Sequence, residues 1–159
     1  IPEPTEININ DIVREVVALL RADIKKYNVK LSLKLDDSLP NIFCQSIQID
    51  QVLLNLCKNA IEVLRDNVIT DRRLIIYSRL NSNDKVQIAV EDNGKGIDDS
   101  VIDELFEPFI TSKSEGMGLG LSICKNIIEA HRGELYLLKD KLEFTDFDHT
   151  IFVFELPQY

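Results

Sequence analysis

The sequence lacks the cysteine pattern of a disulfide frame or a zinc site. Its three cysteines, Cys44, Cys57 and Cys124, lie far apart and form no Cys-x-x-Cys pair. An odd, scattered set is typical of reduced, buried thiols in a cytosolic protein. The chain also has no signal peptide and no apolar run long enough to span a bilayer. We therefore expect a cytoplasmic domain that makes no direct contact with a membrane.

Positive charge is also scarce, with 18 lysines and arginines against 27 aspartates and glutamates and a net charge of -9. Such an excess of negative charge argues against a general affinity for nucleic acid or anionic membranes. A polyanion can bind such a chain only where metal ions, backbone amides and local cations offset the repulsion. We therefore expect no nucleic-acid partner.

Repeats, low-complexity tracts and clear linkers are absent from the 159 residues, which predicts one domain with a sizeable core. A hydrophobic fraction of 45% and a charged fraction of 28% are ordinary for a globular chain. Because the chain opens on Ile1 instead of methionine, we expect residues 1–159 to be a fragment of a longer protein. Whether a membrane segment precedes the fragment is left open.

Hydrophobic periodicity predicts the secondary structure. Helical spacing covers residues 10–27, 47–66 and 119–131, and a short helix is expected over residues 99–105. Alternation predicts strands over residues 5–9, 29–35, 74–80, 85–91, 134–138 and 150–156, with 142–147 left open. Asn10 is expected to cap the first helix, residues 29–35 to bury one face, and the segment around Pro40 to be a loop. The expected fold is α+β, a two-layer sandwich of about five mainly antiparallel strands on three long helices.

Two asparagines stand out on the predicted second helix. Asn55 and Asn59 are four residues apart and therefore share one helix face. Asn59 offers an amide oxygen to Mg²⁺, a cation that prefers oxygen ligands and takes several of them from water and phosphates. Asn55 is suited to hold a water bound to that ion. The plainer alternative is two solvated positions on an amphipathic helix, although leucines flank Asn55 and a buried polar group needs a partner.

An aspartate and two glycines follow the strand predicted over residues 85–91. An ionised carboxylate only accepts hydrogen bonds, so Asp92 suits the exocyclic amine of adenine and opposes the carbonyl of guanine. Gly94 and Gly96 permit positive φ and a close approach of backbone to the base. Ile97 is a candidate for the apolar wall against the ring. The alternative is an ordinary turn between a strand and a helix.

A glycine run opens the third long helix. Free amides and the positive end of the helix dipole at such a junction suit phosphate. The run is neither a Walker loop nor a Rossmann fingerprint, because the Gly-Lys-Ser/Thr ending and a surrounding βαβ unit are missing. The run consists of Gly116, Met117, Gly118, Leu119, Gly120 and Leu121.

The segment before the glycine run is polar and irregular, and it follows the aromatic residues Phe106 and Phe109. These features predict a mobile lid over residues 111–115. Lys113 is its one cation, placed to meet the β- or γ-phosphate, and we assign a catalytic role to it and to Asn55. The alternatives are a solvated loop lysine and phenylalanines that simply pack in the core.

Together these segments resemble the catalytic and ATP-binding domain of sensor histidine kinases, within the GHKL superfamily of ATPases and kinases. The asparagine box lies at residues 55–59, the glycine boxes at 92–96 and 116–120, and the aromatic box at 106–109. Residues 116–131 are most similar to the oxygen- and nitrogen-sensing kinases. The resemblance implies the Bergerat fold and a protein histidine kinase of two-component signalling.

The resemblance further implies ATP and Mg²⁺ as ligands. Asn59 would bind the cation, Asp92 would read adenine with help from Thr150, and the second glycine box would hold the phosphates. Phe106 is counted with the residues around the nucleotide. Two positions depart from the family pattern, since His149 stands where a glycine is usual and Cys44 where an aspartate is frequent.

The partners implied are a dimerisation and histidine phosphotransfer domain of the same protein and a downstream response regulator. Neither His131 nor His149 lies in a histidine-glutamate phosphoacceptor helix, so we interpret both as structural or surface residues. The fragment is therefore expected to bind ATP without phosphorylating itself on histidine.

Two other functions stay open. ATPase clamps of the gyrase, MutL and heat-shock chaperone kind use a glutamate general base one turn before the metal asparagine. That position holds Asn55 here, which disfavours such hydrolysis and, for the same reason, an anti-sigma-type serine kinase. The other function that stays open is a non-catalytic nucleotide sensor that acts by docking a partner.

Overall fold

A computed structural model of the protein describes residues 3–67, 69–108, 120–138 and 150–158, apart from the side chain of Asp99. The possible strand at residues 142–147 and the predicted lid at 111–115 lie outside the described residues. The elements follow in the order β1 (Thr5–Ile7), α1 (Ile9–Lys26), β2 (Lys30–Lys34), β3 (Ile42–Cys44), α2 (Ser46–Asp66), β4 (Arg73–Leu80), β5 (Val86–Asp92), α3 (Asp99–Ile102), α4 (Gly120–Ala130), β6 (Glu134–Leu138) and β7 (Thr150–Leu156).

Five strands form the main sheet in the order β2-β4-β5-β7-β6. Strand β2 runs parallel to β4, and the other three pairs are antiparallel. Helix α2 lies against β4 and β5, packs on α1 and on α4, and α4 in turn contacts β6 and β7. The expected α+β sandwich, with a mostly antiparallel five-stranded sheet and helices packed on it, is confirmed.

A second, two-stranded sheet was not expected. Strand β1 pairs antiparallel with β3, a strand in the segment after Pro40 that was predicted to be a loop. In β3, Ile42 and Cys44 are buried and Phe43 is exposed. Three residues show too little alternation to be recognised as a strand, so this prediction from the sequence was wrong.

The start of α1 also corrects the sequence prediction. Asn8, not Asn10, caps the helix, because its side chain accepts a hydrogen bond from the backbone N–H of Asn10 at 2.9 Å. Asn10 is only 3% exposed. Its Nδ2 donates to the carbonyl of Asp36 at 2.8 Å, and its Oδ1 accepts from Ser78 Oγ at 2.7 Å. The residue taken for a cap therefore links the helix to the sheet.

The core forms between the helices and one face of the sheet. Apolar residues of α2 recur every three or four positions and are almost fully buried, which is the pattern of a helix covered on one face. Burial of each large aliphatic side chain contributes about 1.5–3 kcal/mol. Members of this cluster include Ile12, Val16, Leu20, Leu53, Leu56, Ile76, Ile88 and Phe154.

Strand β2 is less covered than expected. The sequence predicted one buried face, yet Leu31 and Leu35 are half-buried and Leu33 is 38% exposed. The physical reason is its position, because among the described strands β2 forms the edge of the sheet and has a neighbour on one side only.

Candidate nucleotide-binding site

Asp92 is the last residue of β5, where it lies between Leu74 of β4 and Thr150 of β7. The sequence placed Asp92 in the loop, but the β5 ladder extends one residue further. Asp92 and Thr150 are 3% and 4% exposed, so both need hydrogen-bond partners. One carboxylate oxygen of Asp92 accepts from the backbone N–H of Gly94 at 2.9 Å. The structure thus brings together the two residues that the family pattern assigns to the base.

The two glycines after Asp92 are required for different reasons. A Cβ on Gly94 would collide with Val63 Cγ1 of α2 and lie 2.8 Å from Asp92 Oδ1. Gly96 has φ of 81°, which favours glycine, while nothing lies within 4 Å of a Cβ there. Gly96 has the positive φ expected from the sequence, whereas Gly94 does not, and the close approach there is to helix α2.

Asn93 fixes the same loop and was not singled out from the sequence. Its Oδ1 accepts from the backbone N–H of Arg73 at 2.7 Å, and its Nδ2 donates to the carbonyl of Asp71 at 2.6 Å. These bonds tie the loop to the start of β4. Asparagine commonly bonds to nearby backbone in turns, which is the only sequence signal that pointed to this role.

Asn55 and Asn59 lie half-buried on α2, and Val63 continues the same row one turn later. Residues four apart on a helix have Cβ atoms about 5–6 Å apart. Since Val63 packs beside Gly94, the row leads from the two asparagines to the loop that follows Asp92. Asn59 and Asn55 thus lie one and two helical turns from Val63, the residue of α2 beside Gly94.

Asn55 has the partner that its leucine neighbours led us to expect. Its Nδ2 donates to Cys124 Sγ of α4 at 3.6 Å, and Cys124 Sγ lies 3.9 Å from the carbonyl oxygen of Val52. Burial raises the pKa of the Cys124 thiol to about 11, so the sulfur stays a neutral thiol. Asn55 is thus fixed against α4 and is not a freely solvated surface position.

Helix α4 begins at Gly120, one turn before Cys124, so its first turn lies close to Asn55. Gly120 and Leu121 are both half-buried. The sequence predicted a start at Leu119, which lies outside the described residues. The remainder of the glycine run and the lid cation lie outside them too, namely Gly116, Met117, Gly118 and Lys113.

Phe106 is an anchor for packing. Its ring meets Phe152 of β7 edge to face at 6.2 Å between centroids, and Lys125 Nζ of α4 lies 5.8 Å from its centre. Ile97 is half-buried and packs against the core. The packing alternative for Phe106 is therefore what its contacts show, while its place beside a nucleotide stays a prediction. Phe109 lies outside the described residues.

His131 has a structural role, as interpreted from the sequence. Its Nε2 accepts from the backbone N–H of Gln45 at 3.1 Å, and its Nδ1 lies 2.8 Å from the carbonyl oxygen of Ile127. Only the neutral ring with the proton on Nδ1 makes both bonds. His131 thereby joins the end of α4 to the start of α2. His149 lies outside the described residues.

Cys44, the other departure from the family pattern, is 1% exposed at the end of β3. Burial, and to a smaller extent the nearby charge of Asp50, raise the pKa of its thiol to about 11. A thiol of this kind has little thiolate at neutral pH and is not reactive. The substitution is therefore a matter of packing next to α2.

Asn59 offers one amide oxygen, which suits a cation that arrives with a nucleotide. Among the described ranges, no cluster of three or more histidine, cysteine or acidic side chains is placed to hold a metal. Mg²⁺ does not need such a cage, because it binds through one or two protein oxygens, phosphates and water. Within the same ranges, no helix combines the length and apolarity needed to cross a membrane.

Known proteins resemble this chain in both sequence and fold. A family model described as histidine kinase-, DNA gyrase B-, and HSP90-like ATPase matches residues 44–159. The sensor protein TdiS of Thauera aromatica is 37% identical over 91% of this chain and 27% of its own length. Sporulation kinase E of Bacillus subtilis is 35% identical over 92% of this chain and 19% of its own length. The chain thus spans between 19% and 27% of these relatives.

Solved structures show the same fold. The nucleotide-free catalytic domain of the histidine kinase ThkA has a TM-score of 0.82 and 33% identity, covering 99% of this chain and 97% of that domain. A complex of ThkA with the response regulator protein TrrA has a TM-score of 0.78 at 32% identity, covering 98% of this chain and 42% of the ThkA chain.

Proposed function

The chain belongs to the histidine kinase-, DNA gyrase B-, and HSP90-like ATPase family, as a sensor histidine kinase catalytic domain, and we propose that it presents Mg²⁺–ATP to a histidine. The acceptor lies on a separate dimerisation and phosphotransfer domain of the same cytoplasmic protein. A response regulator then receives the phosphoryl group. ThkA, which is 32% identical, has been solved with such a regulator.

The observation that best supports this function is the position of the two asparagines of α2 relative to the loop that follows Asp92. The row formed by Asn55, Asn59 and Val63 on α2 leads to Gly94, whose N–H bonds the Asp92 carboxylate. Asn55 and Asn59, which we assign to the cation, form one end of this row, and Val63 beside the loop after Asp92 forms the other end. Two helical turns rise about 11 Å, a length suited to a nucleotide that runs from its base to its phosphates.

Asp92 gives this site its preference for adenine. One oxygen of its carboxylate already accepts from Gly94, and an ionised carboxylate has further lone pairs for the exocyclic amine. Thr150 lies directly across the ladder from Asp92 and is equally buried, so its hydroxyl can share the base or a water with it. Burial makes this recognition strict, because an unpaired polar group there is costly.

The metal and phosphates take the other end of the row. Asn59 supplies an amide oxygen to Mg²⁺, and Asn55, oriented by Cys124, holds a water on that ion. The amides of the glycine run and Lys113 then neutralise the phosphate oxygens. Phosphoryl transfer needs mainly positioning and such charge stabilisation.

An ATPase clamp is the weaker candidate. Hydrolysis needs a base that activates water, and an amide such as Asn55 cannot take the proton. Cys124 binds Asn55 through a hydrogen bond, which suits a positioning role. A non-catalytic sensor would need the same pocket, so only transfer to a histidine separates it from a kinase.

The decisive experiment mixes residues 1–159 with γ-labelled ATP and the dimerisation and phosphotransfer domain of the full-length protein, a dimeric helical hairpin that carries the acceptor histidine. Transfer is expected to yield acid-labile phosphohistidine on the hairpin, with none on the domain alone. Release of free phosphate without the hairpin would favour the clamp. Nucleotide binding without transfer would favour the sensor.

The adenine role is tested by Asp92→Asn. The amide keeps an oxygen for Gly94 but places a donor toward the adenine amine, so ATP affinity should fall by about 1.5–3 kcal/mol. Calorimetry with ATP and GTP measures the effect. Asp98→Asn is the matched control, since it makes the same change on an exposed carboxylate. Equal ATP affinity of the Asp92 variant and the parent would refute the assignment.

A further inference from the structure

The outer edge of β2 carries backbone groups that no strand of the described residues pairs with. Lys30 donates its N–H to the carbonyl of Arg72 at 2.8 Å, and β2 continues parallel to β4 in register. Alternate residues of such a strand point their backbone groups to opposite sides. The N–H and C=O groups of Leu31 and Leu33 therefore face outward. Within residues 3–67, 69–108, 120–138 and 150–158, no strand pairs with that side.

An apolar groove of about 460 Å³ runs between this edge and helix α1. We name it the β2 groove. Leu33 is 38% exposed there, although it alternates with polar residues and points to the helix side. The groove therefore offers both open backbone groups and an uncovered apolar side chain. Its lining consists of Val17, Arg21, Ile24, Lys25, Leu31 and Leu33.

The surroundings of the β2 groove are basic in an acidic protein. Residues 21–34 hold five basic side chains and one acidic side chain, while the whole chain has a net charge of -9. Lys30 pairs with Asp71 at 3.1 Å but keeps 72% of its side chain exposed. Among the described residues, Arg21 and Lys25 have no ion pair. This local charge complements an acidic partner.

A second copy of the chain does not fit this edge. Pairing of β2 with β2 would place Lys30 and Lys34 of one copy next to the same lysines of the other copy. Like charges opposite each other destabilise a strand pair. Lysines on an edge are a known guard against such self-association. The same lysines attract a strand that carries acidic side chains.

We propose that the β2 groove binds an extended segment of a partner protein in which apolar and acidic side chains alternate. The segment adds to the sheet as a sixth strand and bonds the outward N–H and C=O groups of Leu31 and Leu33. Its apolar side chains enter the groove beside α1. Its acidic side chains lie on the other face of the sheet, next to Lys30 and Lys34.

The probe for this site is a blocked seven-residue peptide of alternating glutamate and valine. We expect it to shift the amide resonances of Leu31 and Leu33 in ¹⁵N spectra of the 159-residue chain. A peptide with lysine in place of glutamate should leave them unchanged. Equal shifts with both peptides, or shifts confined to other parts of the chain, would overturn the proposal.

Two variants at one position separate backbone pairing from side-chain loss. Leu33→Pro removes an outward N–H and leaves the ladder to β4 intact, a change that edge strands tolerate. Leu33→Thr shortens the side chain and keeps the N–H. We expect at least tenfold weaker peptide binding for the proline variant than for the threonine variant. Equal binding by the two variants would exclude strand addition.

Charge reversal provides an independent test should the proline variant fail to fold. Lys30→Glu combined with Lys34→Glu should weaken binding of the glutamate peptide at least threefold and leave ATP affinity unchanged. Both side chains are exposed on β2, so the fold is expected to be retained. Unchanged peptide binding by the double variant would contradict the proposed charge complementarity.

Discussion

Asn10 of α1 and Asn55 of α2 both interrupt an apolar helix face, yet their surroundings differ. Asn10 is 3% exposed and is bonded to Asp36 and Ser78 at 2.8 and 2.7 Å. Asn55 is half-buried, and its amide donates to a sulfur atom at 3.6 Å. Sulfur is a weak acceptor. A polar group with short bonds to oxygen connects elements of the fold, whereas a half-buried one with a weak partner remains available to a ligand.

Removal of Asn10 should have the largest effect on stability. Asn10→Ala leaves the carbonyl of Asp36 and the hydroxyl of Ser78 without a partner, and each such loss costs about 1–3 kcal/mol. We expect the free energy of unfolding in urea to fall by about 3 kcal/mol. Nucleotide affinity of the folded variant should stay within about twofold of the parent, a change below 0.5 kcal/mol.

The neighbouring cap supplies the control for Asn10. Asn8→Ala removes the half-buried cap of α1 together with its hydrogen bond to the carbonyl of Leu39, and should cost about 1–2 kcal/mol. If Asn10→Ala cost no more than Asn8→Ala, the buried link between α1 and the sheet would be weaker than its geometry indicates.

Asn55→Ala should have the opposite effects, with little change in stability and a large loss of phosphoryl transfer. We expect the unfolding free energy to change by less than about 1 kcal/mol, since the lost bond is weak and the site is half-buried. Phosphoryl transfer to the histidine hairpin should fall roughly 10- to 100-fold, the range for groups that orient a bound metal. Initial rates at saturating ATP, measured over a range of Mg²⁺ concentrations, test this expectation.

Gln51→Ala is the matched control for Asn55, because it removes an exposed amide one turn earlier on the same helix. It should change neither the transfer rate nor stability. A large loss of stability with normal transfer in Asn55→Ala would make Asn55 a structural residue of the same kind as Asn10.

The same contrast explains which parts of the fold could be predicted from the sequence. Among the described residues, periodicity located the three long helices and the five strands of the main sheet, because apolar residues recur at the spacing of each element even on the partly exposed β2. The errors arose where a tertiary contact decided the outcome. Asn10 has the composition of a cap but bonds to Ser78, and β3 forms only because β1 lies beside it. Asp92 continues β5 because Leu74 and Thr150 pair with it.

Site residues could be predicted from the sequence where their position allows only one residue type. Glycine is required at Gly94 because α2 leaves no room for a Cβ, and at Gly96 because φ is positive. The role of Asn93 and the bond between Asn55 and Cys124 depend on neighbours distant in sequence. No local pattern predicts such contacts.

A third polar side chain on the helices, Asp50, should show the smallest effect. Its Oδ1 is buried and has no hydrogen-bond partner among the described residues. Burial raises the pKa of Asp50 from 3.8, and the charge of Glu15 on α1 raises it further. Unlike Asn10, Asp50 therefore opposes folding once it is ionised.

The sign of the pH dependence follows from that raised pKa. Well below the unfolded-state pKa of 3.8, Asp50 is protonated in both states and carries no penalty. As the pH rises from there through the raised pKa of the folded state, the unfolded state loses its proton first and stability is lost. Asp50→Asn should therefore gain stability relative to the parent between pH 3 and 7, by up to about 1 kcal/mol because partial exposure screens the charge.

Urea unfolding at several pH values measures this difference. Asp37→Asn is the matched control, because that side chain is 94% exposed, and its difference from the parent should not follow the same curve. A constant difference for Asp50→Asn across the range would mean that Asp50 is already satisfied, as Asn10 is. A difference that grows with pH would instead show that Asp50, like Asn55, is a polar group without strong hydrogen bonds in the folded state.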